Sequence, residues 1–121
     1  MRLIIKHSSW SGWTKDYKPN ENEYEFEIEL NKKYVIETTK VSYMNGDELV
    51  EEEREVLSFN VIEVNNNSIK INTYQVFSDN EDNTINLFSD KKEFIITTEK
   101  PLSLVTPTMD YGEIFIFNLV K

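Results

Sequence analysis

Histidine occurs once in the chain, at position 7, and Ser8 and Ser9 follow it directly. A histidine can activate a serine hydroxyl, but the two must converge from different elements, with an acid behind the histidine to orient it. Three consecutive residues do not provide that arrangement. A single histidine also excludes a histidine-rich zinc or iron site. We therefore interpret His7 as a structural or surface residue.

Paired carboxylates could catalyse glycoside hydrolysis, which needs two acids roughly 5–10 Å apart. The chain has 16 glutamates, so such pairs are expected by chance, and no sequence context distinguishes one of them. A single sheet domain of 121 residues also leaves little chain for a substrate cleft. The sequence therefore predicts a protein that is not an enzyme and that uses no cofactor and no metal.

Composition and charge narrow the class of protein further. The 121 residues fit one domain over positions 1–121, and the absence of cysteine excludes disulfides and thiolate chemistry. A net charge of -9 disfavours nucleic acid and anionic membranes as partners and favours a basic protein. There is no signal-like or 18-residue apolar run, so we expect a cytoplasmic protein. The Asn-, Lys- and Ile-rich composition without alanine is typical of a bacterial, AT-rich gene.

The residue types favour strands. Val, Ile, Thr, Tyr, Phe and Trp make up 45 of the 121 residues, while glycine and proline occur three times each. Turn signals recur along the whole chain and separate short alternating segments. The sequence therefore predicts an all-β fold, an antiparallel β-sandwich or small β-barrel of about eight short strands.

Individual elements follow from alternation and turn residues. Residues 24–30 place Tyr, Phe, Ile and Leu on one face and glutamates on the other, which is typical of a half-buried strand. Asn45-Gly46 is the strongest hairpin signal, because both residues tolerate positive φ. Polar turns are expected at 65–68 and at Asp90-Lys91. The last strand, 114–120, is apolar on both faces and is expected to be central in its sheet.

Two segments remain ambiguous. Residues 48–56 fit a helical stripe as well as a strand; we favour a strand with a frayed or helical start, and one short helix near 48–56 stays open. Leu102–Val105 follows a proline and is either a short edge strand or an extended segment. If it is an edge strand, it could pair across a two-fold axis and form a homo-oligomer.

A row of glutamates is the first candidate for a binding site. Glu21, Glu23, Glu25, Glu27 and Glu29 alternate with other residues, so in one strand their carboxylates lie about 6.8 Å apart on one face. The row is either a solvated face paired with Lys32, Lys33 or Lys40, or a recognition surface for a basic partner. In the second case Glu25, Glu27 and Glu29 bind that partner, helped by a second acidic cluster between Glu48 and Glu55.

Aromatic residues form the second candidate. Trp10 and Trp13 are the two tryptophans of the chain, and Tyr17 follows shortly after them in a segment expected to be a loop. Their rings could anchor a protein partner or stack on sugar rings. The alternative is that the tryptophans cover one end of the fold and belong to the core.

The segment from Asp79 to Asn83 combines closely spaced acidic and amide side chains, which can bind Ca²⁺. It lacks the pattern of an EF-hand, and turns favour the same residues, so calcium binding is left open.

The sequence thus predicts a non-enzymatic protein-interaction domain, of an inhibitor or immunity type, that binds a basic protein. The alternative is a carbohydrate-binding β-sandwich module that uses Trp10, Trp13 and Tyr17.

Overall fold

The computed structural model describes residues 1–11, 21–81, 84–106 and 111–121, with backbone alone for 10–11, 80–81, 84–90 and 111. Eight antiparallel strands make up the described chain, and they form one sheet that curls into a nearly closed barrel. This confirms the predicted all-β fold. The strands are β1 (Arg2–Ser11), β2 (Glu21–Glu27), β3 (Lys33–Asn45), β4 (Glu48–Val64), β5 (Ser68–Glu81), β6 (Thr84–Thr97), β7 (Leu102–Val105) and β8 (Tyr111–Val120).

The sheet order is β2-β1-β8-β7-β5-β4-β3, and β6 pairs with β5. Strand β5 is long enough to change partners. Near Ile71 it lies between β4 and β6, whereas at Ser78 it lies between β7 and β6. The β5–β6 hairpin therefore connects the two halves of the barrel, one built from β2, β1, β8 and β7 and the other from β4 and β3.

Alternating side chains from every described strand fill the barrel. Apolar residues of β1 and β8 point inward at every second position, as period-two strands require. The largest fully buried side chains are aromatic, and Phe59 packs edge-on against Phe117 at 5.8 Å between ring centroids. The buried apolar core comprises Leu3, Ile5, Tyr34, Ile36, Leu57, Phe59, Val61, Ile69, Ile71, Phe77, Phe94, Ile96, Leu104, Val105, Phe115, Phe117 and Leu119.

Side chains close the seam between the end strands β2 and β3. The hydroxyl of Tyr34 donates a hydrogen bond to the backbone oxygen of Glu27 at 2.7 Å and accepts one from the backbone N–H of Glu29 at 2.9 Å. The Tyr34 ring also meets Phe26 edge-on. These contacts hold the two edges together where no described backbone ladder joins them.

Several predicted elements are confirmed. The β3–β4 hairpin closes at the Asn45-Gly46 signal, although Asn45 pairs with Glu48 and the two turn residues are Gly46 and Asp47. Gly46 has a φ of 64°, as the first central residue of a type II′ turn requires. The turn predicted at 65–68 separates β4 from β5. Strand β8 is central, because it pairs with both β1 and β7.

The structure also decides alternatives that the sequence left open and corrects other expectations. Residues 48–56 form a strand, which confirms the favoured interpretation and rules out the short helix that was left open. Strand β2 ends at Glu27, so Leu30 lies in the following turn and is exposed. Asp90-Lys91 does not turn, because β6 runs through it along β5. Leu102–Val105 pairs with β8 along its length and with β5 at Leu104 and Val105, so it is an interior strand and not an edge strand, and a homo-oligomer stays a prediction.

Candidate functional site

The predicted aromatic platform lies mostly beyond the described residues. Trp10 is in β1, where its backbone pairs with Gly112 of β8. Trp13 and Tyr17 lie outside the described residues, and so do the side chain of Trp10 and residues 82–83 of the predicted calcium loop. The aromatic and calcium hypotheses therefore stay predictions.

The glutamate row on β2 faces solvent as predicted, but the fold supplies its own cations. Glu23 pairs in register with Lys6 of β1, and Glu27 with Arg2. The Arg2 guanidinium also lies 2.5 Å from the carboxylate of Glu25. The neighbouring strand β1 therefore partly neutralises the row. The sequence alone could not predict this, because it does not show which strands pair.

Glu29 does not belong to this row. It lies beyond the end of β2, and its carboxylate forms an ion pair with the ammonium of Lys32 at 2.9 Å. The hydrogen bond and charge of Glu29 raise the pKa of Lys32. Of the other lysines proposed as partners, Lys33 pairs with Glu55 and Lys40 lies opposite Glu53. Three of the predicted site residues, Glu25, Glu27 and Glu29, are thus on the surface, but they do not form one continuous acidic face.

The second acidic cluster does not lie on β2 but on the paired strands β3 and β4. Among the described residues, β3 and β4 pair only with each other from Thr38 to Glu55, because the β4–β5 ladder starts at Phe59. We call residues 38–55 the β3–β4 ribbon. It carries Lys40, Arg54 and six acidic residues, Asp47, Glu48, Glu51, Glu52, Glu53 and Glu55. Every one of its residues is exposed or only partly buried.

Apolar side chains are exposed at the tip of the β3–β4 ribbon. Met44 pairs with Leu49 and both are more than half exposed, at 61% and 63%. On the opposite face Tyr43 pairs with Val50, and Tyr43 is 42% exposed. An exposed apolar cluster rimmed by charges is typical of a surface that binds another molecule. Sequence reasoning identified the acidic residues but not this apolar tip, which depends on the cross-strand register.

A side chain ends the β4–β5 ladder at the base of the ribbon. The amide oxygen of Gln75 accepts a hydrogen bond from the backbone N–H of Ser58 at 2.8 Å, and its nitrogen donates to the backbone oxygen of Glu55 at 3.3 Å. The Ser58 hydroxyl donates to the Glu55 carboxylate at 2.6 Å. Hydrogen bonds from Ser58 and from the Lys33 ammonium lower the pKa of Glu55.

Inside the barrel, a polar cluster surrounds His7. The imidazole is 7% exposed, stacks on Phe115 at 4.5 Å, and has its Nε2 atom 2.5 Å from Glu113. Its Nδ1 atom is 3.6 Å from Glu37 and has no hydrogen-bond partner among the described residues. The two carboxylates lie against different ring nitrogens, so they do not converge with the imidazole on one ion. Nowhere in the described ranges could three or more His, Asp or Glu side chains hold a metal.

Tyr24 joins this cluster from β2. Its hydroxyl donates to Glu37 at 2.6 Å, and this hydrogen bond, with burial and the charge of Glu37, raises the pKa of Tyr24 to about 12. Four strands, β1, β2, β3 and β8, supply one residue each. The sequence predicted a structural or surface role for His7 but had no signal for its partners, because the topology alone brings them together.

Asp79, the first residue of the candidate calcium segment, already has a partner. It is 8% exposed in β5, and its carboxylate lies 2.6 Å from the ammonium of Lys91. Lys91 also lies over the ring of Phe94. The charge of Asp79 is thus compensated within the fold by a residue of β6.

Comparison with known proteins finds no matching family model, no matching curated protein and no matching solved structure. Among the described residues, no helix is long and apolar enough to cross a membrane.

Proposed function

We propose that the chain is a non-enzymatic protein-binding domain that recognises a basic protein through the β3–β4 ribbon. The observation that carries this proposal is the combination of charge and apolar surface on one projecting element. Six acidic and two basic residues occupy the ribbon, and Met44 and Leu49 are exposed at its tip. A basic protein with an apolar contact point complements both properties.

Electrostatics favours this surface over the β2 row. Charged surfaces accelerate the encounter with an oppositely charged partner, and the effect decreases with salt. On β2 the neighbouring Arg2 and Lys6 offset two of the four glutamates of the strand. On the ribbon Arg54 pairs with Glu52 at 2.6 Å and Lys40 lies opposite Glu53, so two basic residues offset six acidic ones, and Glu51 lies opposite the uncharged Ser42. The ribbon therefore presents the less compensated negative charge.

An inhibitor or immunity role fits these properties, since such proteins present a small acidic domain to a single target. That part of the proposal rests on size and charge and not on a residue match. The domain would act in the cytoplasm on a protein partner and would need no cofactor.

The test is partner capture followed by association kinetics. The immobilised domain is exposed to lysate of its source organism, and the retained protein is identified and purified. The triple variant Glu51→Gln, Glu52→Gln, Glu53→Gln should reduce the association rate at low salt by about tenfold or more and have little effect at high salt.

The matched control changes the same number of glutamates on the β2 row, Glu23→Gln, Glu25→Gln and Glu27→Gln. We expect it to slow association much less. Equal effects of the two triple variants would assign recognition to the net charge of the domain and not to the ribbon, and unchanged rates in both would disprove an acidic recognition surface.

The carbohydrate-binding alternative depends on Trp10, Trp13 and Tyr17, so it draws no support from the described side chains. This alternative would be favoured if the immobilised domain retained polysaccharide and the double variant Trp10→Ala, Trp13→Ala did not.

A further inference from the structure

Along the β3–β4 ribbon, one side of strand β4 has no partner strand in the part of the chain that the structure describes. Residues 48–54 pair with β3 on one side. On the other side the first residue with a partner in β5 is Phe59, opposite Thr73, and no described strand lies beside 48–54. Unpaired backbone N–H and C=O groups along such an edge can accept a further strand.

The fold limits where this open edge begins. The Gln75 amide contacts the backbone N–H of Ser58 and the backbone oxygen of Glu55, both on β4. These are positions at which a neighbouring strand would otherwise form hydrogen bonds. Gln75 therefore separates the paired part of β4 from the open edge, which extends over Glu48–Arg54.

The side chains along this edge indicate its occupant. Alternation places Leu49, Glu51 and Glu53 on one face of the ribbon. Glu48, Val50, Glu52 and Arg54 lie on the other, where Arg54 pairs with Glu52 at 2.6 Å. A strand added beside β4 would therefore meet carboxylates on both of its faces. Opposite charges on adjacent strands stabilise pairing, and like charges oppose it.

The same charges argue against two other arrangements. A second copy of the chain pairing through this edge would bring glutamates against glutamates. No described strand pairs with the outer edge of β3 along the ribbon either, but between Thr38 and Asn45 this edge carries Lys40 and no carboxylate. That edge does not complement a basic chain.

We propose that an extended, basic segment of the protein partner adds as a strand to the β4 edge over Glu48–Arg54. Lysine or arginine side chains at alternate positions of the segment pair with Glu51 and Glu53, and the apolar residues between them lie on the face of Val50, where Arg54 already pairs with Glu52. This inference rests on the proposed function, and it specifies the backbone conformation of the partner and the strand that it contacts.

Synthetic peptides test the mode of binding. The probe is acetyl-Lys-Val-Lys-Val-Lys-Val-Lys-amide, and the control has the same side chains with every backbone amide nitrogen methylated. Charge and composition are equal, but the control cannot donate backbone hydrogen bonds. We expect the unmodified peptide to bind about tenfold or more tightly, because main-chain hydrogen bonds provide much of the affinity in strand addition.

Amide hydrogen exchange of the isotope-labelled domain supplies the second measurement. The unmodified peptide should slow exchange at residues 49–53, where the edge is open, and should leave Val61 and Ile71 of the existing ladder unaffected. Glu51→Gln with Glu53→Gln should weaken binding, while Glu23→Gln with Glu25→Gln should not.

The outcomes separate the two proposals. Equal affinity for both peptides, with sensitivity to Glu51 and Glu53, would overturn strand addition and leave charge-based recognition by the ribbon intact. Binding of neither peptide would overturn both proposals. Dimerisation of the free domain with protection of the same amides would replace the basic segment with a second copy.

Discussion

The Nε2 atom of His7 lies 2.5 Å from the carboxylate of Glu113, and this contact joins β1 to β8 next to the barrel seam. The imidazole is almost fully buried, whereas the Glu113 side chain is 31% exposed. On its other side the ring approaches Glu37 of β3. The histidine thus links three strands, and its partners compensate for burying a polar ring among aromatic residues.

Replacing Glu113 with Leu should lower the free energy of unfolding by about 1–3 kcal/mol, because the buried Nε2 atom loses its partner. Glu113→Gln should recover part of this loss, since its amide oxygen can still accept a hydrogen bond. Urea denaturation measures both values. Glu25→Leu is the control, because it removes an exposed ion pair with Arg2 that is worth about 0–1 kcal/mol. Equal losses in Glu113→Leu and Glu25→Leu would contradict a structural role for the buried contact.

The raised pKa of Tyr24 predicts a loss of stability in alkali. The ordinary tyrosine value is 10.0, and in the folded chain the hydrogen bond to Glu37 raises the pKa of Tyr24 to about 12. The folded state therefore retains the Tyr24 proton more strongly than the unfolded state does. The resulting stabilisation is complete below pH 10 and is lost as the pH rises to about 12.

Tyr24→Phe isolates this contribution. Stability measured by urea denaturation at about pH 9 and about pH 11 should decrease more in the wild type than in Tyr24→Phe. In Glu37→Gln, the pKa of Tyr24, followed by NMR of its ring carbons, should fall toward the ordinary value. A Tyr24 titration that is identical in wild type and Glu37→Gln would show that the hydrogen bond does not control it.

Strands could be predicted where apolar and polar residues alternate with the same two-residue period as buried and exposed positions. In β2, Tyr24 and Phe26 face the core while Glu25 faces solvent, so alternation is visible. On the β3–β4 ribbon both faces are exposed, and no buried side imposes period two. Leu49, Val50 and Val56 could therefore mimic a helical stripe although they lie in a strand.

The remaining errors have physical causes that involve distant residues. Lys91 was predicted to lie in a turn, but its ammonium pairs with Asp79 of β5. Among the described strands β6 pairs only with β5, and charged side chains are common on such edge strands. The partners of His7 lie on β3 and β8, and Glu113 of β8 is 106 residues away from His7 in the sequence. No local pattern encodes such a contact, since the strand order determines it.

Gln75→Leu should destabilise the base of the β3–β4 ribbon. The substitution removes the hydrogen bonds to the backbone of Ser58 and Glu55, and Ser58 is fully buried. We expect a loss of about 1–3 kcal/mol in urea denaturation and faster amide exchange at Ser58. Tyr74→Phe is the matched control, because it removes an exposed hydrogen bond from Asn60 and should lower stability by less than about 1 kcal/mol. Unchanged exchange at Ser58 in Gln75→Leu would show that the amide does not protect this backbone position.

Two residues with positive φ should respond differently to alanine. Gly46 has a φ of 64° at the ribbon tip, and a Cβ added there meets nothing within 4 Å. Gly46→Ala therefore introduces backbone strain alone, about 1–2 kcal/mol. Because the tip can open without unfolding the barrel, amide exchange near Leu49 should accelerate about tenfold while the urea midpoint changes little.

Asn31, with a φ of 63°, lies in the turn between β2 and β3, and its backbone N–H donates to Val61 of β4 at 2.8 Å. Strain at this position acts on the barrel itself, so Asn31→Ala should lower the urea midpoint, whereas Asn31→Gly should preserve it. If Gly46→Ala lowered the urea midpoint as much as Asn31→Ala, the β3–β4 ribbon would unfold together with the barrel and would not be an independently opening element.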